Sequence, residues 1–389
     1  MANPFRRHTG MPPQKFVGRE RELKELERNY QQTLQGNPEH TILYGQYGIG
    51  KTSLLIETEK RLKKANTIRI SLFPTEDITE ICDTILREAQ AQLNLKPKIL
   101  RERLEALDFT FLGTGAKITL GPVKMNPQSA LKGVVSEIYD EAIKKGKNGK
   151  DTLVLLFDDL HEITGATGGR ILSILSNVLT ILNQQGKNIM FVATGAHDIF
   201  QRIRSIHEST VRIFHPLEIL PFTKNETIMA VNDAAQPEGK VFEKTVVNKI
   251  HSVSSGIPYY IQILGYYSFQ LAEAECKNKI TLSLFNRGFQ MALDDLARRK
   301  FRDLYETCTP EERVILRIFT ETKEKEIPFT QIDRKTKINP SVYLKRLTEN
   351  NILIKTRRGV YSLQDQMFKE YLQTYKPYQR NGTKNFRRG

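Results

Sequence analysis

Cysteine is scarce: the 389-residue chain has three, Cys82, Cys276 and Cys308, placed far apart. An odd, unclustered set argues against a disulfide framework and against a zinc site. Long apolar runs are missing too. The run at residues 153–157, beside a motif discussed below, is far short of the roughly 20 residues that cross a bilayer. No membrane partner is expected. Residues 1–14 are basic and carry no apolar signal core, so a cytoplasmic location is expected. Acidic residues are outnumbered, 44 Asp and Glu against 59 Lys and Arg, for a net charge of +15. No long internal repeat is visible.

What is present describes a multidomain globular chain. The length suits two or three domains, and 39% apolar with 26% charged residues suits ordinary cores. The positive charge is uneven. Residues 310–389 hold 18 Lys and Arg against 9 Asp and Glu, and residues 376–389 hold five basic residues and no acid. Such asymmetry fits a polyanionic partner, most often nucleic acid, or equally a solvated basic surface.

Periodicity divides the chain into five stretches. Residues 1–15 read as a flexible basic arm. Residues 16–221 alternate strands and helices, with apolar strands expected at 41–44, 67–73, 152–157, 188–193 and 211–217. That alternation predicts an α/β fold with a parallel, doubly wound sheet. Residues 109–123 are glycine-punctuated and alternate like a hairpin. Residues 222–308 read as an all-helical lid, with helices at 224–235, 243–253, 259–274 and 283–305. Residues 309–375 form a third unit, and 376–389 a basic tail.

The firmest motif is Gly45-Gln46-Tyr47-Gly48-Ile49-Gly50-Lys51-Thr52, followed by Ser53. It matches G-x-x-x-x-G-K-[ST] between an expected strand and an expected helix, the context a phosphate-binding loop requires. The glycines let backbone N–H groups turn toward the β-phosphate, and the helix N-terminus adds its dipole. Lys51 would reach the β- and γ-phosphates of ATP, and Thr52 would bind Mg²⁺.

A second motif is Leu153-Val154-Leu155-Leu156-Phe157-Asp158-Asp159. Two adjacent carboxylates at the end of a buried strand favour a cation site. Asp158 would hold the Mg²⁺, and Asp159 would orient the attacking water. Glu162 is a reserve for the latter role, or a solvated helix-start acid. The next strand ends at Thr194-Gly195, where Thr194 could sense the γ-phosphate or cap a turn. Among Arg202, Arg204 and Arg212, Arg212 is the favoured arginine finger toward a neighbouring subunit, with Arg204 second. A homo-oligomer follows if that is so.

These residues resemble a known superfamily. Phe16-Val17-Gly18-Arg19-Glu20 looks like the adenine-side box of AAA+-related ATPases, which implies that Val17 and Gly18 touch the base. Thr194-Gly195, residues 217–222 and Gly256-Ile257-Pro258-Tyr259 resemble archaeal-type ATPases of the STAND branch, over residues 16–274. The layout with a C-terminal winged helix is also similar to archaeal origin-recognition proteins. The resemblance implies that Pro258 abuts the nucleotide; a proline also suits a helix start. Asp158-Asp159, where many AAA+ proteins have Asp-Glu, implies slow hydrolysis.

The third unit carries its own signals. Thr309, Pro310 and Glu312 mark a capped helix at 310–321. Helices at 329–336 and 341–350, the latter turning Val342, Leu344 and Leu347 inward, and strands at 352–356 and 360–363 make a winged helix-turn-helix. Lys345 and Arg346 would face the major groove of DNA, and Arg357 and Arg358 the phosphates or minor groove. The same fold serves as a protein–protein contact in signalling ATPases, so a protein partner is the alternative. A mobile-element ATPase that hands DNA to a recombinase is a third.

Overall fold

The computed structural model describes residues 3–8, 10, 12–75, 77–96, 109–112, 117–120, 126–145, 151–163, 169–206, 208–322 and 324–376. The chain divides into two units, one essentially from Phe16 to Leu220 and the other from Pro221 onward together with the N-terminal residues.

In the first unit, helix α1 (Glu20–Leu34) leads to strand β1 (His40–Tyr44), the phosphate-binding loop and helix α2 (Lys51–Arg61). Strand β2 (Asn66–Ser71), helix α3 (Ile78–Leu93), hairpin strands β3 (Phe109–Leu112) and β4 (Lys117–Leu120), and helix α4 (Pro127–Lys145) follow. Then come β5 (Leu153–Asp158), α5 (Gly169–Gln184), β6 (Ile189–Gly195), the short helices α6 (Ile199–Ile206) and α7 (Glu208–Val211), and β7 (Phe214–Glu218). Five strands form one sheet in the order β2-β5-β6-β1-β7, and each pairing is parallel. Every residue of β5 and β6 is buried, as a parallel sheet covered by helices on both faces demands. The expected α/β class is therefore realised.

Two local expectations change. The last strand was expected at 211–217, but Val211 ends a helical turn and the strand runs over Phe214–Glu218. Among the described residues it pairs only with β1, and at this sheet edge Pro216 removes no ladder bond that the sheet needs. The expected 109–123 hairpin is present as β3 paired antiparallel with β4, while 113–116 and 121–123 lie outside the described residues.

The second unit begins with helix α8 (Lys224–Ala235), closed at its start by a capping box between Thr223 and Glu226. Helices α9 (Lys244–Ser254) and α10 (Pro258–Ala274) follow, flanked by short strands β8 (Val241–Phe242) and β9 (Lys279–Ile280). The helix expected at 283–305 is α11 (Leu282–Leu296), a π-helical turn (Ala297–Phe301) and α12 (Arg302–Glu306). The C-terminal module comprises α13 (Pro310–Glu321), β10 (Glu326–Pro328), α14 (Phe329–Lys335), α15 (Pro340–Glu349), β11 (Leu353–Arg357), β12 (Val360–Leu363) and α16 (Gln366–Tyr375). Its strands form an antiparallel sheet in the order β10-β12-β11. The Thr309–Glu312 capping box is formed. Leu344 and Leu347 of α15 are buried, but Val342 is exposed, because it falls off their shared face.

Residues 3–6 of the N-terminal arm pack against α10 and the short strand β8. Phe5 is 1% exposed and packs edge-on to Phe242 and tilted against Phe269. Asn3 Nδ2 donates to the Tyr266 carbonyl at 3.0 Å, and the Arg6 N–H donates to Gln262 Oε1 at 2.9 Å. Gly265 makes the socket, since a side chain there would overlap the Phe5 ring. A single aromatic among polar residues gives no periodic signal, so the sequence concealed this anchor. Residues 146–150, and 377–389 of the expected basic tail, lie outside the described residues.

Candidate nucleotide-binding site

Parallel registration brings the predicted residues together. Leu43 pairs with Thr194, and Tyr44 with Gly195, across β1 and β6. Phe157 of β5 pairs with Ala193. The loop after β1, the acids ending β5 and Thr194 ending β6 therefore emerge at one sheet edge, the carboxyl end where ligands bind in such folds.

Gly48 and Gly50 take positive φ, 74° and 94°, which lets the loop curl where a side chain would strain. Helix α2 starts at Lys51 with no side-chain cap, leaving its first N–H groups for an anion. Lys51 Nζ donates to the carbonyls of Gly45 (2.9 Å) and Gln46 (3.1 Å), folding across the loop. Burial pulls the Lys51 ammonium below the ordinary lysine pKa, while Asp159 and Asp158 oppose that.

Asp158 is buried and organised. Its Oδ1 accepts from Thr52 Oγ1 at 3.1 Å and from the Thr194 hydroxyl. Thr194 is fully buried and in turn accepts the Asp159 N–H at 2.8 Å. The Thr194 proton is thus directed at Asp158, and sensing a phosphate with it would require letting go. Asp159 takes φ 61°, a left-handed conformation uncommon for a residue with a side chain. Burial and the neighbouring Asp158 raise its carboxyl above the ordinary aspartate pKa. On the following turn, His161 stands 3.9 Å from the Asp159 carboxylate and 3.5 Å from that of Glu162. His161 was not among the residues expected at the site.

A second unexpected residue is Arg19. It is buried, and its guanidinium donates to the carbonyls of Ile49 (3.0 Å) and Leu220 (2.5 Å). This ties the segment after Val17 and Gly18 to the phosphate-binding loop. An arginine in an otherwise charged helix start reads as solvated surface, so periodicity gave no hint of it.

Other predicted residues stand apart. Arg212 is exposed in the turn before β7. Phe214 pairs with His40 at the opposite end of β1 from the loop, so Arg212 cannot serve its own site. Arg202 is held by Asp198 at 2.8 Å on α6, and Arg204 is exposed there. Pro258 is the first residue of α10, in the second unit. Lys345, Arg346, Arg357 and Arg358 lie in the C-terminal module.

Residues 15–192 match the family of AAA ATPase domains. This segment is an AAA-type P-loop ATPase domain. Solved structures extend the likeness of fold along the chain. The Walker-type ATPase of Pyrococcus abyssi superposes with a TM-score of 0.61 at 18% identity, covering 93% of this chain and 98% of its own. The ORC2 protein of Aeropyrum pernix, solved as ADPNP–ADP complexes, gives 0.60 at 16% identity, with 94% and 97% covered. Cdc6p of Pyrobaculum aerophilum gives 0.53 at 16%, with 94% and 95% covered. No curated protein sequence matches. Among the described residues, no helix is long and apolar enough to cross a membrane.

Proposed function

We propose that the chain is a slowly hydrolysing, ATP-dependent switch of the STAND type that binds duplex DNA through a C-terminal winged helix. The observation that carries the DNA reading is the C-terminal module: three helices followed by an antiparallel hairpin whose tip exposes Arg357 and Arg358. Basic charge concentrated on such a module is the electrostatic footprint of nucleic-acid binding.

At the nucleotide site, the loop N–H groups and Lys51 bind the phosphates, with Val17 and Gly18 on the adenine side. Thr52 and Asp158 fit a Mg²⁺ ion: a hydroxyl and a carboxylate 3.1 Å apart are hard oxygen donors. Bound there, the ion would neutralise charge on the transferring phosphoryl group. Asp159 orients the attacking water, and Thr194 fixes both acids. Pro258 marks the nucleotide from the lid, and Arg212 reads the nucleotide of a neighbouring copy.

One observation favours a protein-binding module instead. Its cations are partly occupied: Arg346 faces the buried Glu312 at 3.4 Å, Lys345 faces Glu349 at 3.7 Å and Arg357 faces Glu326 at 3.6 Å. Fluorescence anisotropy with labelled duplex DNA at low salt, with and without ATP, separates the readings. Binding that responds to ATP, and loses that response in Lys51→Ala, is expected. No binding at low salt would eliminate the DNA reading.

A further inference from the structure

Ile219 and Leu220 close the first unit, and Pro221 and Phe222 open the second. Each side of this junction is gripped by residues of its own unit. On the first side, the Ile219 N–H donates to the carbonyl of Tyr44, the residue before the phosphate-binding loop, at 2.8 Å. The Ile219 carbonyl lies so close to Gly45 that a Cβ there would sit 2.7 Å from it. Arg19 completes the grip by donating to Leu220 and to Ile49. Both flanks of the loop, Tyr44–Gly45 and Ile49, are therefore tied to the last two residues of the unit.

Arg19 is built for that task. It is 4% exposed and takes φ 66°. A non-glycine residue persists in that region only where its surroundings hold it. The planar guanidinium presents donors at fixed angles and can hold two carbonyls at once, whereas an ammonium acts as a point charge. Glu22, 4.0 Å away and also buried, supplies counter-charge.

On the second side, the Phe222 N–H donates to the Gly256 carbonyl at 2.8 Å. Gly256 takes φ 74°, and a side chain there would overlap the Phe222 backbone. Gly256 stands two residues before Pro258, which starts α10. Only Pro221 lies between the two gripped groups, the Leu220 carbonyl and the Phe222 N–H.

We infer that Arg19 is a positioning residue that makes residues 219–222 a transmission link, carrying rearrangement of the phosphate-binding loop to the Gly256–Pro258 turn. The link rests on the ATPase reading of the loop and is independent of DNA binding. Movement of Ile49 or Gly45 on phosphate binding is passed by Arg19 and Ile219 to the junction, and by Phe222 to Gly256.

Hydrogen exchange on the full chain, with and without ADP, tests it through three peptides, spanning residues 44–53, 217–225 and 254–260. With ADP at a hundred times its dissociation constant, exchange in all three slows, by up to about a hundredfold. In Arg19→Met, ADP still slows residues 44–53, while 217–225 no longer responds and 254–260 keeps only the slowing that Pro258 beside the nucleotide gives. Arg19→Lys, which keeps the charge but not the fork, falls between the two and serves alone if Arg19→Met does not fold. Wild-type slowing of 254–260 in either variant would overturn the link. So would a wild-type protein in which only 44–53 responds. A wild-type protein in which 44–53 itself fails to respond would remove the nucleotide-site reading, and the link with it.

Discussion

Thr194 shows how one hydroxyl can organise a site. It donates to Asp158 and accepts from the Asp159 N–H, so both acids at the end of β5 depend on it. Thr194→Val keeps the shape but leaves a buried N–H and a carboxylate oxygen short of a partner, a loss of about 1–3 kcal/mol. The expected outcome is a fall in kcat of roughly tenfold to a hundredfold, a loss of that size converted to rate. The nucleotide dissociation constant should change less. Steady-state hydrolysis beside equilibrium nucleotide binding separates the two. His40 gives the second prediction at this scale. It begins β1, where the Phe191 N–H donates to its Nδ1 at 3.2 Å, and burial pulls its pKa from 6.5 to about 4. The unfolded chain takes up this proton below about pH 6.5, and the folded chain only near 4. Stability from this group is therefore full above pH 6.5 and declines as pH falls toward 4, by a total on the order of 3 kcal/mol. Unfolding midpoints from pH 7.5 to 4.5 should slope accordingly and flatten in His40→Gln. An equal slope in that variant would rule out His40 as the source.

Among the elements, the central strands were legible because parallel strands buried on both faces are continuous apolar runs. The helices with a capping residue and a proline start were legible for equally local reasons. The edge strand β7 was misplaced by a few residues, since half its positions face outward and the apolar signal is thin. The π-helical turn within the 283–305 stretch and the anchoring of residues 3–8 were not legible at all. The second follows from Gly265, some 260 positions away, leaving room for one ring. Phe5→Ala should therefore cost about 3–5 kcal/mol in the helical unit, the usual range for emptying a buried phenylalanine site. Differential scanning calorimetry reads that loss, and Gly265→Leu should produce a comparable one by displacing the ring. An unchanged midpoint in both would mean that the arm contributes nothing to stability.

At the scale of the whole molecule, charge governs association. With a net +15, weak binding to any polyanion at low salt is expected, so affinity at one salt concentration decides little. The slope decides more. Each phosphate neutralised contributes about −0.9 to the slope of log affinity against log salt on duplex DNA. Replacing Arg357 and Arg358 together by alanine should therefore flatten the slope by roughly 2. An unchanged slope would place the DNA contacts elsewhere than the hairpin tip.

By itself the sequence determined the α/β class, the phosphate-binding loop and the acidic strand end, because each is written in contiguous residues with a fixed period or spacing. Only the tertiary structure decided that Thr194 holds both acids. It alone revealed the buried fork of Arg19 between Ile49 and Leu220, and the socket that Gly265 makes for Phe5. These depend on residues up to some 260 positions apart meeting in a close-packed interior. There an absent side chain or a carbonyl's direction counts as much as any residue type, and neither leaves a mark on local pattern.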